Sequence, residues 1–388
     1  MGEEWRLDQS KEFEFSGSHY QMGKQQGRAF KANLKAAFDE FKKIPAVQMM
    51  KPRFLPTSLF FKIASSKAYK GLNEIFEKHL PHHCERISGI AEGADISEKM
   101  IYLLASTELI LAERKYEIPS IEGCTTICYE RSKTERGHNM AARNFDYQRI
   151  VVPYLVVRKN SPKDRYKTLD VTATPLAGTF NGMNEKGVFI GTNEGSPIGE
   201  LDGGLPASLL IQEALETCAT SQEVFELFKS LPRGTGNIVV VNDAEGNNFA
   251  MEYTSKRIYK RTDDRNFLVG TNHYQLEQLK SVDLPKDAIY TEDADPRLVG
   301  LTITEDSYLR VEDATELIKR KEILSIGDMQ SIMSNHGGLP EKEPGRMMLC
   351  RHGPVMQTAA SMIADCETKE LFICIGNPCD NEYLRYNL

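Results

Sequence analysis

The chain changes character at Gly123 and Cys124. Before this pair, apolar residues recur at three- and four-residue steps, the period of one face of a helix. After it, short alternating runs are separated by Gly, Asn, Asp and Lys, which is typical of strands and turns. Because these strands follow one another closely, they favour antiparallel hairpins over repeated βαβ units. The sequence therefore predicts a layered α+β domain with a helical first part.

Composition restricts the class of protein. The chain has 388 residues, of which 40% are hydrophobic and 27% are charged, as in soluble globular proteins. A net charge of −7 argues against nucleic acid as the main partner and gives no attraction to anionic membranes. Apolar runs stay well below the ~18 residues of a membrane span, and the acidic, polar start is unlike a secretory signal. We expect no membrane partner and a cytoplasmic location.

The eight cysteines are scattered and too sparse for a disulfide scaffold, so we expect reduced thiols. Zinc is the competing interpretation. Cys350 and His352 form one candidate group, and Cys374 and Cys379 another, but neither has paired ligand spacing. The sequence therefore predicts no metal site and no cofactor.

Several elements are predicted on both sides of the Gly-Cys pair. One long helix is expected over Tyr20–Phe41, ended by Pro45, with further helices over Leu59–Leu80, Glu85–Ile96 and Ser97–Glu113. The later part is predicted to contain helices over Pro206–Cys218, Gln222–Leu231, Glu312–Lys319 and Ile326–Ser334. Strands are predicted over Lys11–Phe15, Thr125–Glu130, Asn139–Asn144, Val151–Val157, Thr168–Thr174, Gly187–Thr192, Asn237–Asn242, Asn248–Tyr253, Ile258–Arg261, Phe267–Thr271, Met362–Asp365 and Leu371–Ile375.

The Gly-Cys pair also begins a hairpin that could carry chemistry. A cysteine nucleophile needs a cation to stabilise negative charge and a carboxylate to orient the proton acceptor. Arg143 and Asp146, three residues apart on the second predicted strand, supply both near Cys124. Gly123 has no β-carbon and leaves its carbonyl open to attack. The alternatives are a buried, inert cysteine and a surface ion pair at a strand end.

Gly123-Cys124-Thr125-Thr126 and the later Arg143-to-Asp146 run resemble the isopenicillin-N acyltransferase family of N-terminal-nucleophile hydrolases. The resemblance implies a four-layer αββα sandwich. It also implies an inactive precursor that cuts itself before the cysteine. Residues 1–123 would then be a mainly helical α chain and residues 124–388 the catalytic β chain, together forming one domain.

The same resemblance assigns further site residues. Asn272, in a Thr-Asn segment, would form the oxyanion hole, and Asn193 would be a second asparagine near the site. Arg310, in Ser307-Tyr308-Leu309-Arg310, would support the site, while Asp146 would hold the newly freed amine. The alternatives are turn-forming asparagines at strand ends and a solvated arginine at a helix start.

The resemblance predicts a cysteine amide hydrolase or acyltransferase that works through an acyl-Cys124 intermediate on linear amides or thioesters. A coenzyme A thioester is a possible substrate. The freed α-amino group would serve as the base, so His336 and His352 are not needed for this role. Partners would be a small-molecule acyl donor and acceptor. The two chains would stay associated, and a homo-oligomer is possible. The alternative is an unprocessed relative that acts as a binding protein.

Overall fold

A computed structural model describes residues 5–43, 47–48, 51–52, 54–113, 123–292, 296, 299–337, 345, 347–353 and 356–388. Two β-sheets pack face to face, and helices cover both outer faces. The α+β, four-layer αββα arrangement predicted from the sequence is therefore confirmed. None of the described helices is long and apolar enough to cross a membrane.

The helices fall into two groups, one on each side of Cys124 in the chain. Those before Cys124 are α1 (His19–Ala29), α2 (Lys31–Phe41), α3 (Thr57–His79), α4 (Pro81–Ala94) and α5 (Glu98–Glu113). Those after it are α6 (Ala207–Thr217), α7 (Ser221–Ser230), the single-turn α8 (Glu277–Lys280), α9 (Glu305–Lys319) and α10 (Ile326–Met333).

The larger sheet contains eight described strands in the order β1-β4-β5-β6-β7-β8-β9-β10. Its strands are β1 (Glu12–Gly17), β4 (Leu155–Pro162), β5 (Thr168–Ala173), β6 (Asn181–Asn184), β7 (Phe189–Glu194), β8 (Asn237–Asn242), β9 (Phe249–Tyr253) and β10 (Ile258–Arg261). All neighbouring pairs are antiparallel except β1 and β4, which run parallel with Glu12 opposite Val157. The segment before Cys124 thus supplies an edge strand.

The smaller sheet contains six described strands in the order β11-β2-β3-β12-β13-β14. Its strands are β2 (Thr125–Tyr129), β3 (Met140–Gln148), β11 (Phe267–Gly270), β12 (Met356–Asp365), β13 (Glu370–Ile375) and β14 (Leu384–Asn387). The predicted hairpin of β2 and β3 is present, with Thr125 opposite Asn144. A bulge between Thr358 and Ala360 shifts the register of β12 beside Asp146.

Three apolar cores separate the four layers. Phe189 and Val240 of the larger sheet meet Ala141 and Met362 of the smaller one in the central core. The second core joins helices α1, α4, α6 and α7 to the outer face of the larger sheet, and the third joins α9 and α10 to the outer face of the smaller sheet. Burial of apolar surface on both faces of each sheet therefore holds the layers together.

Helices α1 and α4 cross at unusually short range because glycines line their contact. A β-carbon at Gly23 would lie 3.0 Å from the backbone nitrogen of Ile90, and one at Gly89 would lie 2.8 Å from that of Lys24. Any larger residue would push the two backbones apart. Glycine at positions 23 and 89 therefore allows the backbones of α1 and α4 to approach closely.

Some sequence expectations were wrong in detail. The long helix expected over Tyr20–Phe41 is divided at Phe30, a fully buried residue whose φ of −109° leaves helical geometry. Its expected end, Pro45, lies outside the described residues. Strand Val151–Val157 begins only at Leu155, because Arg149–Tyr154 forms a 3-10 turn.

Candidate active site

Cys124 lies immediately before β2 with 1% of its surface exposed. Its thiol donates to the carbonyl oxygen of Asp146 at 3.8 Å, and Arg143 Nη2 lies 3.5 Å from the sulfur. The β2–β3 hairpin brings the two residues together because Arg143 stands opposite Thr126. A cation at this distance stabilises negative charge that develops on the sulfur.

The Arg143 side chain is held by backbone carbonyl groups in and just before strands of the larger sheet. Its guanidinium donates to the carbonyl oxygen of Phe180 at 2.7 Å and also to that of Thr192. Its Cζ atom lies 5.1 Å from the ring centre of Phe145. Because these contacts restrain a long side chain, the guanidinium is already oriented toward Cys124.

Asp146 is fully buried on the other face of β3 from Arg143. Its Oδ1 accepts a hydrogen bond from Thr358 at 2.7 Å, while Oδ2 has no hydrogen-bond partner among the described residues. Burial raises the pKa of Asp146 to about 6, against the opposing pull of Arg310 and Arg351. The carboxyl group is thus poised to change protonation near neutral pH.

Gly123 lies directly against this carboxyl group. A β-carbon built on Gly123 would lie 2.9 Å from Asp146 Oδ2 and still closer to Arg351 Nη1. Both contacts are shorter than real β-carbons make. Glycine therefore permits this close approach, and the Gly123–Cys124 peptide bond lies next to a buried carboxyl group and a guanidinium.

Arg310 holds the other side of the cysteine. This fully buried side chain donates to the carbonyl oxygen of Cys124, to Thr125 Oγ1 at 2.9 Å and to Asn272 Oδ1 at 3.0 Å. Asp306, one turn earlier on α9, lies 3.4 Å away. Because α9 begins at Glu305 rather than at the predicted Glu312, Arg310 lies inside a buried helix face and is not a solvated helix-start residue.

Asn272 follows β11 and is held from two sides. Arg310 binds its amide oxygen, and its own backbone nitrogen donates to Ser307 Oγ at 2.8 Å. Its side-chain Nδ2 donates to the carbonyl oxygen of Glu194 at 3.0 Å. Because Glu194 and Cys124 line one pocket, Asn272 is linked to the wall of the Cys124 pocket through the Glu194 carbonyl.

Asn193 has different hydrogen-bond partners from Asn272. Its amide oxygen accepts a hydrogen bond from Thr126 at 3.0 Å, and its amide nitrogen donates to the carbonyl oxygen of Ile238 at 3.2 Å. Like Asn272, Asn193 does not itself line the Cys124 pocket, although its neighbours Thr192 and Glu194 do. The structure therefore places Asn193 as a link between the sheets.

Three residues that were not assigned to the site from the sequence complete the surroundings of Cys124: Arg351, Asp306 and Thr358. Arg351 lies against Gly123, and its Nη1 is 3.5 Å from Asp306 Oδ2. Thr358 bonds Asp146 and also accepts from the backbone nitrogen of Arg351 at 2.8 Å. Arg351 stands between Cys350 and His352, which the sequence singled out only as a possible metal group, and nothing in the sequence indicated that Arg351 lies beside Cys124.

The sulfur faces a pocket of about 10 Å³ that continues into a cavity of about 140 Å³. The two spaces share Glu108, Phe145, Tyr147 and Phe180. Glu108 binds the first backbone N–H groups of α6, and its burial raises its pKa to about 7. The larger cavity is otherwise mainly apolar, with the following aliphatic side chains in its wall: Val47, Leu104, Ile150, Val151, Leu155 and Leu176.

The sequence profile of the acyl-coenzyme A:6-aminopenicillanic acid acyl-transferase family matches residues 132–340, more than half of the chain. The chain belongs to this family. The part that matches the acyl-transferase family begins after Cys124 and includes Arg143, Asp146, Asn272 and Arg310. The resemblance inferred from the sequence is thereby confirmed at the level of the family.

Solved structures of amide hydrolases are also similar to this acyl-transferase family member. An N-acylethanolamine-hydrolyzing acid amidase ortholog from Caenorhabditis elegans is 15% identical, with a TM-score of 0.40 over 63% of this chain and 93% of that one. A mutant of the conjugated bile acid hydrolase from Clostridium perfringens is 15% identical, with a TM-score of 0.40 over 68% and 97%. Penicillin V acylase from Agrobacterium tumefaciens is 13% identical, with a TM-score of 0.37 over 65% and 83%.

Proposed function

We propose that this protein is a self-processing cysteine amide hydrolase or acyltransferase whose nucleophile is Cys124. The proposal rests above all on the position of the sulfur, 3.5 Å from the buried Arg143 guanidinium. The preceding Gly123 is in close approach to the Asp146 carboxyl group. An inert structural cysteine has no chemical need for these neighbours.

In the proposed self-cleavage, the Cys124 sulfur attacks the carbonyl carbon of Gly123. The carbon–nitrogen bond breaks, the thiol proton passes to the departing nitrogen, and a thioester joins Gly123 to the sulfur. Water then hydrolyses the thioester, which frees the Gly123 carboxylate and the thiol. Cys124 is left with an α-amino group whose pKa is ordinarily about 7.7–8.0, a suitable base near neutral pH.

In the proposed turnover, this amine takes the thiol proton and the sulfur attacks an amide or thioester carbonyl. The Asn272 side chain would release the Glu194 carbonyl and donate to the oxyanion, since Glu194, its present acceptor, lines the Cys124 pocket. Asp146 holds the amine, and Arg143 stabilises charge on the sulfur. The leaving amine or thiol takes the proton, and water or an amine then accepts the acyl group from Cys124.

The adjoining cavity supports an apolar acyl group as the part of the substrate next to the scissile bond. Its wall is mainly aliphatic and aromatic, and it opens from the Cys124 pocket through Phe145 and Phe180. An apolar chain placed there would lose contact with water and gain contact with this wall. We propose acyl amides or acyl thioesters of this kind as the substrate class.

Intact-mass measurement of the purified protein tests the proposal. Cleavage should give pieces of about 14 and about 30 kDa, dividing the 43.8 kDa of the chain by length, and the larger piece should begin with Cys124 in Edman sequencing. Cys124→Ala should remain uncut and inactive. Cys128→Ala is the matched control, because that thiol is equally buried but bonds the carbonyl of Val241, and it should be cut normally.

An active wild-type enzyme that consists of a single uncut chain would refute self-cleavage. An uncut and inactive chain that still binds acyl amides would instead favour the binding-protein alternative. A panel of acyl donors followed by mass measurement should show the acyl group on Cys124.

A further inference from the structure

Four potential metal ligands from three separate segments of the sequence meet beside the candidate active site. They are His336, Cys350, His352 and Cys379, and their ligand atoms all lie within 4.8 Å of one another. His352 Nε2 lies 3.1 Å from Cys379 Sγ and 3.2 Å from His336 Nε2, and the two sulfurs are 3.5 Å apart without a disulfide bond.

Hydrogen bonding does not account for this arrangement. His352 Nε2 is within 3.4 Å of Cys350 Sγ in addition to its two other neighbours. A neutral imidazole nitrogen carries either one proton or one lone pair, so it can satisfy one of these three contacts. The remaining contacts are left without a normal hydrogen bond, and a cation bound between the four ligand atoms would satisfy all of them.

The contacts around His352 and between the sulfurs are close to those of a tetrahedral zinc site. With Zn–S near 2.3 Å and Zn–N near 2.0 Å, the edges of a tetrahedron are about 3.3 Å for N–N, about 3.5 Å for N–S and about 3.8 Å for S–S. These contacts are shorter than the corresponding edges by at most about 0.4 Å. A small outward shift of each side chain would therefore admit the ion.

We propose that His336, Cys350, His352 and Cys379 bind one structural Zn²⁺ ion. Two thiolates neutralise the charge of the ion, and four protein ligands leave no open coordination position for catalysis. Asn377 supports the site from outside, since its Nδ2 lies 3.6 Å from Cys350 Sγ and 2.8 Å from the carbonyl oxygen of Arg351. Such outer contacts orient metal ligands.

The zinc site would position Arg351. Cys350 and His352 direct their side chains to the cluster, whereas Arg351 between them points toward Gly123 and Asp306. His336 follows α10 and Cys379 follows β13, so the ion would join the loop that carries Arg351 to two neighbouring elements. The ion would thus fix the loop that carries Arg351, and Arg351 would in turn position the peptide bond before Cys124. The ion itself would lie outside the pocket.

Metal analysis of the full-length protein, purified from zinc-supplemented cells, tests the proposal. We expect close to one zinc per chain, and X-ray absorption should show two sulfur and two nitrogen ligands. Cys379→Ser should lower the affinity for zinc by about tenfold or more, and this variant should therefore contain less zinc than the wild-type protein. Cys374→Ser is the matched control, because its thiol bonds the carbonyl oxygens of Gly376 and Asn381, and it should keep the metal.

A second measurement does not depend on the folding of a variant. In the wild-type protein, iodoacetamide should leave Cys350 and Cys379 unmodified until a chelator is added, while the half-buried Cys84, outside the cluster, reacts at the same rate with and without chelator. The proposal is overturned if the wild-type protein neither contains zinc nor takes up added Zn²⁺. It is also overturned by a Cys350–Cys379 disulfide, or by equal zinc contents in the two serine variants.

Discussion

Arg158 and Asp170 form a buried ion pair in the larger sheet, as Arg351 and Asp306 do beside Cys124, but the two pairs are bonded differently. Arg158 binds Asp170 through two nitrogens at 3.0 and 3.2 Å, and it also donates to Gln212. Gln212 in turn donates to Glu216, which contacts His19 at 2.6 Å. We call these five residues the scaffold network, and every polar atom of its Arg–Asp pair is hydrogen-bonded.

The group beside Cys124 has the same chemistry with fewer bonds. We call Asp146, Asp306, Arg310, Arg351 and Thr358 the site cluster. In the described part of the chain, Asp146 Oδ2 and Arg351 Nη1 are buried without hydrogen-bond partners. Leaving such atoms unbonded costs stability. The difference suggests that the scaffold network serves the fold, whereas the site cluster keeps groups available for chemistry.

The largest expected effect comes from the same substitution in both clusters. Asp170→Asn should destabilise the chain by about 3–5 kcal/mol, because it leaves the Arg158 charge buried without its carboxylate. Asp146→Asn should not destabilise at neutral pH, since it removes a charge that burial disfavours, but it should abolish self-cleavage and turnover. Urea unfolding, measured in the uncut Cys124→Ala background, gives both stabilities. Equal losses of stability would remove the distinction between the clusters.

The two asparagines extend the comparison to uncharged groups. Asn272→Ala should lower kcat by about 10²–10³ with the fold intact, as loss of one oxyanion donor does. Asn193→Ala should instead lower stability by about 1–3 kcal/mol, because it leaves the carbonyl of Ile238 without this donor, and should keep kcat within about tenfold. Steady-state kinetics and urea unfolding of both variants give these values. If Asn193→Ala lowered kcat and Asn272→Ala lowered only stability, Asn193 would be the oxyanion donor and Asn272 the structural residue.

One carboxyl group of each cluster, Asp146 in the site cluster and Glu216 in the scaffold network, should respond to pH with opposite sign. Burial raises the pKa of Asp146 to about 6, so its contribution to stability is largest below about 3.8 and is lost as pH rises to about 6. Burial disfavours the Glu216 carboxylate too, but the bond from His19 and the attraction of His83 lower its pKa to about 2. Its contribution is present above about 4.5 and is lost as pH falls toward 2.

Each contribution amounts to about 3 kcal/mol. The stability of the uncut background chain minus that of its Asp146→Asn variant should therefore fall between about pH 4 and about pH 7. The corresponding difference for Glu216→Gln should rise over the lower part of this range. Slopes of the same sign would contradict the assignment of the two carboxyl groups.

The smallest expected effect is that of Thr358→Val, which keeps the shape of the side chain. It removes the bond to Asp146 Oδ1 and the acceptor for the Arg351 backbone. We expect a loss of about 1 kcal/mol in stability and a shift of the self-cleavage profile to higher pH, because the Asp146 carboxylate is less stabilised. Single-turnover cleavage rates across pH, measured by gel, provide the test. An unchanged profile would remove Thr358 from the site cluster.

Local patterns in the sequence predicted most elements because hairpins such as β2–β3 form between neighbouring segments. The same locality made Arg143 and Asp146 recognisable beside Cys124. The separation of Arg143 from Asp146 onto opposite faces could not be read from their three-residue spacing without the strand bounds. The end of a helix at Phe30 depends on tertiary packing, which outweighs the local apolar period.

Arg351 and the proposed zinc ligands were missed for another reason. Their meeting depends on contacts between three separate segments, and His336, Cys350, His352 and Cys379 have none of the short paired spacings that indicate zinc. The sequence alone therefore predicts no metal. In three dimensions, the two loops and the end of α10 converge, and the cluster becomes visible.

The order of the site cluster along the chain has a consequence for synthesis. Thr358 leaves the ribosome 234 residues after Cys124, a delay of roughly 10–50 s at ordinary elongation rates. Until then, the Asp146 carboxyl group lacks Thr358, and Gly123 lacks the neighbouring Arg351. The peptide bond before Cys124 therefore cannot meet its full surroundings while the chain is growing. Any reaction that requires them is delayed until the segment that contains Arg351 and Thr358 has been synthesised.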